Sequence, residues 1–144
     1  MKLTQADIVT KLAAFRIPQD ECSFRAFEIA SILCDETVDW FPGKRYGSPT
    51  DALAEISRVL ANGKMVIAWL DTGSMEPNNP TYRAIHCYFV FGDHPLRCFS
   101  VWENPGPTFY DDTFLRQKIA EAANFFQDKG GVELHVVPAD NDAA

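Results

Sequence analysis

The sequence has no Cys-x-x-Cys pair, no His-x-x-x-His pair, no internal repeat and no low-complexity tract. Without the first two, the usual ligand spacings of a structural zinc site are missing, so neither a metal nor a cofactor is expected. Without the last two, repeat architectures drop out. Basic charge is also scarce: 13 Lys and Arg stand against 20 Asp and Glu, a formal net charge of -7, and Lys44-Arg45 is the only adjacent basic pair. Binding a phosphate backbone calls for clustered cations, so no nucleic-acid partner is expected. Long apolar runs are missing too. No stretch could span a bilayer, and the N-terminus from Met1 to Asp7 lacks the apolar run and small-residue cleavage site of a signal peptide. The expectation is a soluble chain, cytoplasmic as synthesised.

What is present suits one domain. A chain of 144 residues with 47% hydrophobic content can build one real core and is too short for two comfortable ones. The expected domain is 1–138, followed by a disordered polar tail, 139–144. Thr4 can cap a first helix, with Ile8, Val9, Leu12 and Phe15 at helical spacing until Pro18. From Cys22 to about Asp35 a second helix is apolar around most of its circumference and is expected to be buried. Ser48-Pro49-Thr50-Asp51 starts a third helix, with a capping Ser, a first-turn Pro and an early acid, and Asn62-Gly63 stops it.

Met65 to Leu70 then reads as a continuous apolar strand. Two further strands, Arg83 to Phe91 and Arg97 to Glu103, are joined by Gly92-Asp93-His94-Pro95. A helix from about Asp112 to Gln127 and a strand from Val132 to Val137 follow. Lys44-Arg45 reads as a solvated loop pair, and Asp111-Asp112 as a helix start. Cys34, Cys87 and Cys98 fall inside these elements, where small buried hydrophobes are expected.

Cys22 is different. At the mouth of the second helix its thiol would meet two devices that favour the thiolate, the positive end of a helix and a nearby imidazolium. His86, on a strand, would serve as base and then as acid. If Phe91 pairs with Arg97 across the turn, Val90 faces Cys98, His86 faces Trp102 and Ala84 faces Asn104. His86 and Asn104 then share a face, because strand side chains alternate. Asn104 is thereby favoured over Glu103 for orienting the imidazole, and a slip of one residue in the turn reverses the choice. His135, in the last strand, is the only competing base.

The order and spacing of Ile17-Pro18-Gln19-Asp20-Glu21-Cys22, Leu60-Ala61-Asn62-Gly63-Lys64-Met65-Val66-Ile67, Ile85-His86-Cys87-Tyr88-Phe89-Val90-Phe91-Gly92-Asp93 and Val101-Trp102-Glu103-Asn104-Pro105 resemble the papain-like cysteine peptidase superfamily. The likeness is to bacteriocin-leader peptidase domains and to bacterial papain-fold toxin and glutamine deamidase domains. The resemblance implies an α+β, papain-like fold with the nucleophile helix packed on an antiparallel sheet. It assigns Cys22 as nucleophile, His86 as general base and acid, and Asn104 as the orienting group. It offers Gln19 for the oxyanion hole, closer to the cysteine than relatives place theirs, beside the backbone N–H of Cys22. Ser23 stands where many relatives have Gly.

The function it implies is hydrolysis of amide bonds, by a thiol peptidase or a protein glutamine deamidase, on a protein or peptide substrate. For a toxin or effector domain it further implies delivery to another cell by a secretion system and a cognate inhibitor or immunity protein. The alternative is a catalytically inactive papain-like binding module of the docking or immunity type.

Overall fold

The computed structural model describes residues 3–16, 25–39, 41–71, 85–92, 95–101, 105–125 and 131–137. Four helices and six strands lie among them: α1 (Gln5–Leu12), α2 (Ala26–Cys34), β1 (Lys44–Tyr46), α3 (Pro49–Ala61), β2 (Val66–Asp71), β3 (Ile85–Gly92), β4 (Arg97–Ser100), β5 (Thr108–Tyr110), α4 (Asp112–Phe125) and β6 (Val132–Val136). The strands form one sheet in the order β1-β6-β2-β3-β4-β5. Every neighbouring pair is antiparallel. The fold is α+β, with an antiparallel sheet, as the sequence implies.

The helix ends follow their capping chemistry. Thr4 Oγ1 accepts from the Asp7 backbone N–H at 3.1 Å while Asp7 Oδ2 accepts from the Thr4 N–H at 3.1 Å, a reciprocal capping box that starts α1. That helix stops at Leu12, short of the expected Pro18. Past the turn, the Phe15 N–H donates to the Leu12 carbonyl, and the Phe15 carbonyl accepts from the Gly106 N–H at 2.8 Å, so this stretch is committed to a loop contact. Ser48 caps α3 through the Asp51 N–H with Pro49 in the first turn. Gly63, at φ 77°, takes the left-handed conformation that ends α3, where a Cβ would be strained. Asp111 Oδ1 accepts from the Phe114 N–H at the head of α4, so the acidic pair does begin a helix.

The two faces of the sheet carry two cores. On one, Ile8, Leu12, Phe27, Ile29 and Leu33 of α1 and α2 pack against Ile67, Cys87, Phe89 and Phe99. On the other, Ala52, Ile56, Leu115 and Ile119 of α3 and α4 pack against Val66, Ala68, Leu70, Tyr88, Val90 and Cys98. Because both faces are covered, β2 reads as an unbroken apolar run instead of an alternating one. Phe89 and Phe99 stack at 5.1 Å between centroids with both rings fully buried. Burial of each such ring contributes about 1.5–3 kcal/mol, and the pairing roughly 0.5–1.5 kcal/mol more.

The sheet also differs from the sequence reading. Lys44 and Arg45 sit in strand β1, paired with Leu134 and Glu133, and are not a loop pair. Thr108–Tyr110 forms an edge strand where a loop is expected. The β3–β4 register has Val90 opposite Cys98 as expected, but Arg97 faces Gly92 and not Phe91, with an irregularity between Val90 and Gly92. The extra residue is on β3, between Val90 and Gly92, where a bulge absorbs it, and inward of Val90 the pairing of Phe89 with Phe99 keeps the expected register.

Candidate functional site

Of the proposed catalytic residues, His86 lies among the described residues; Cys22, Asn104, Gln19 and the alternative Glu103 lie outside them, as does the tail 139–144. His86 pairs with Leu70 across β2–β3. Leu70 belongs to the core under α3 and α4, as do Tyr88 and Val90, the next residues on the same side of β3. Strand alternation therefore turns His86 toward α4 and away from α2. Cys87, its neighbour, is the residue that faces α1 and α2.

The surroundings of His86 disfavour its charged form. Burial of the ring, and then the Lys118 ammonium of α4, hold its pKa below the ordinary histidine value. A thiolate–imidazolium pair needs the opposite shift. The helix expected from Cys22 begins at Ala26, with Arg25 as N-cap. The free N–H groups of its first turn thus belong to residues after Arg25.

The segments that flank Cys22 and Asn104 do approach each other. The Arg25 guanidinium lies 5.2 Å from the centroid of the Phe15 ring, and the Phe15 carbonyl accepts from Gly106 N–H. Phe15 thus ties the approach to α2 to the loop after β4, on the face that His86 leaves.

On that same face the structure assembles a polar site that the sequence marks only through His135. His135, completely buried, follows Glu133 by two residues on β6, so both project to one side. Its Nδ1–H donates to the Phe41 carbonyl at 3.1 Å, and its Nε2 lies 2.7 Å from Glu133 Oε2. Arg45 Nε donates to Glu133 Oε1 at 3.1 Å from the neighbouring strand. Phe27 and Phe41 meet the imidazole edge-on at 5.6 and 5.7 Å, and the Trp69 indole lies tilted over it at 4.5 Å. With both nitrogens engaged and no exposure, His135 offers no ring nitrogen to a substrate, and the competing-base reading is set aside.

The remaining thiols behave as the sequence suggests: Cys87 and Cys98 are buried and Cys34 is partly so, all three unbridged. Burial, with Asp111 adding to it, pushes the Cys98 thiol up to about 12. Among the described residues no group of three or more His, Cys, Asp or Glu side chains converges as a metal would require. No described helix is long and apolar enough to cross a membrane.

No family model matches the chain, and no curated protein and no solved structure shows detectable similarity to it.

Proposed function

We propose that this chain is a protein-binding module of the docking or immunity type, built on a scaffold that shares with papain-like proteins a helix packed against an antiparallel sheet. The observation that carries the reading is the alternation along β3. It directs His86 to α4 while α2, the helix nearest to Cys22 in sequence, covers the opposite face. A base that takes a proton from a thiol must come within hydrogen-bond reach of it. The depressed pKa of His86 points the same way, since it opposes the imidazolium that would hold a thiolate.

A second reading, the cysteine hydrolase with Cys22, His86 and Asn104, has one observation in its favour: Phe15 binds the segments beside Cys22 and Asn104 to each other. The two readings differ in the thiol. Alkylation of Cys22 by iodoacetamide, followed by peptide mass spectrometry from about pH 5 to 9 with His86→Ala in parallel, separates them. A binding module gives an ordinary thiol titrating near 8.5 in both proteins. Rapid alkylation near pH 6 that disappears in His86→Ala overturns the binding-module reading and establishes the hydrolase pair.

A further inference from the structure

β1 is an edge strand. It bonds to β6 on one side, through Lys44 opposite Leu134, Arg45 opposite Glu133 and Tyr46 opposite Val132. Among the described residues no strand pairs with its other side. An unpaired edge presents a row of backbone N–H and C=O groups to any extended chain that comes beside it. Beside this edge runs a groove of about 540 Å3 between β1 and α3. Its far wall is a single helical stripe: Asp51, Ala54, Glu55 and Arg58 recur at the i, i+3, i+4, i+7 spacing of one helix face. The small Ala54 at the middle of the stripe leaves the width.

The register of β1 fixes what each of its residues shows. Leu134 and Val132 belong to the core under α3, so their partners Lys44 and Tyr46 project into the groove, and Arg45 projects to the other face of the sheet. The Tyr46 ring packs on the core as the groove's apolar floor, with the Lys44 ammonium 5.5 Å from its centroid. Arg58 is spent on Glu55, and Arg45 on Glu133. Lys44 has no carboxylate in ion-pair contact among the described residues. In a chain of net charge -7, the edge thus carries one exposed cation without such a contact, Lys44, on the side of the groove.

We propose that this edge binds an extended acidic segment of another protein as a seventh strand beside β1, with a carboxylate opposite Lys44 and an apolar side chain on Tyr46 in the groove. The proposal rests on the binding-module reading and names its surface and partner class. Main-chain hydrogen bonds to the edge would supply affinity, and alternate side chains would supply specificity. A second copy of this chain fits worse. Antiparallel pairing of β1 with itself about its central residue sets Arg45 opposite Arg45, and like charges directly opposite are destabilising.

The test uses the full chain, isotope-labelled, titrated with a synthetic octapeptide of sequence Ser-Thr-Val-Asp-Glu-Thr-Ser-Thr and followed by NMR. The proposal expects amide shifts at residues 44–46 and 51–58 and slowed exchange of the β1 edge amides. It expects at least tenfold weaker binding for Lys44→Glu and for Ala54→Trp, two exposed positions whose folding is checked by thermal melts. It also expects loss of binding when alternate peptide amides are N-methylated, and none by a peptide with Lys-Lys in place of Asp-Glu. No shifts at these residues, equal binding of the Lys-Lys peptide, or self-association of the chain through β1 would overturn it. Cys22 alkylation is read on the same samples. An ordinary thiol without peptide binding removes the groove and leaves the binding-module reading; an activated thiol removes that reading whatever the peptide does.

Discussion

The Nε2 of His135 lies 2.7 Å from Glu133 Oε2 while its Nδ1–H donates to the Phe41 carbonyl. A carbonyl and a carboxylate can only accept, so a hydrogen must also lie between Nε2 and Oε2 for both contacts to be bonds. The pair joins the last strand to the segment that leads into β1, and Arg45 closes the same connection from β1. Polar groups buried in this way stabilise only while all of their partners stand.

Glu133→Ala is therefore expected to destabilise the protein by about 1–3 kcal/mol, because it strands a buried imidazole nitrogen. His135→Phe keeps the ring volume among Phe27, Phe41 and Trp69 and loses both bonds. The double variant should cost less than the sum of the two, by about 0.5–3 kcal/mol of coupling. Urea denaturation of the three variants measures this, and additive losses would count against a shared network.

Gly43 is held close to the same ring. A Cβ there would lie 2.7 Å from His135 Nε2 and 2.8 Å from the Leu134 carbonyl oxygen. The imidazole is fixed by its two bonds and by Trp69, so it has no free rotamer to escape into. Gly43→Ala should cost about 1–3 kcal/mol, the usual penalty of overpacking, and should shift the His135 ring resonances. A thermal melt indistinguishable from wild type would show that the 41–43 segment yields easily.

The pH dependence of stability follows from His86. Its pKa is lower in the folded protein than in the unfolded chain, by burial first and by Lys118 second. Below about 6.5, the unperturbed value, the unfolded chain binds a proton that the folded one resists. Stability from this group is thus present above about pH 6.5 and falls as pH drops through the folded pKa. His86→Asn should flatten the urea midpoint between about pH 5 and 7. Asp112 and Glu55, whose pKa values are lowered by Arg116 and Arg58 respectively, titrate further down and would leave this window unchanged.

Cys98 should be inert until the protein unfolds. Its thiol is pushed up to about 12 in the folded state, so thiolate is nearly absent at pH 8, and access is closed by complete burial. Labelling by an aromatic disulfide reagent should modify Cys98 only at the rate of unfolding. The same shift makes stability fall as pH rises from about 8.5, where an unfolded thiol ionises, toward about 12. Rapid native-state labelling of Cys98 would contradict its burial in the core under α3 and α4.

What the sequence made legible was governed by local chemistry. Ser48-Pro49 and Asn62-Gly63 mark both ends of α3, and the run from Met65 marks β2, because caps and doubly covered strands leave local signatures. β1 and β5 left none. Each is three residues long, too short for alternation to register, and Lys44-Arg45 becomes a strand only through β6, whose Glu133 is 88 positions from Arg45. The site suffered from the same cause. Residue types and chain order suggested Cys22 with His86, but which face His86 takes is decided by its pairing with Leu70 of β2. His135 was legible as a histidine in a strand; its partners Phe41 and Glu133 depended on the fold.

The place of β6 between β1 and β2 has a bearing on biosynthesis. Until residues 132–136 have emerged from the ribosome, β1 has no described strand to join and β2 keeps one bare side. Assembly of that half of the sheet must wait for the last strand, a long-range closure of the kind that slows folding. A nascent chain stalled before β6 would meanwhile display unpaired, apolar β2 backbone, the kind of edge that chaperones cover and aggregates recruit.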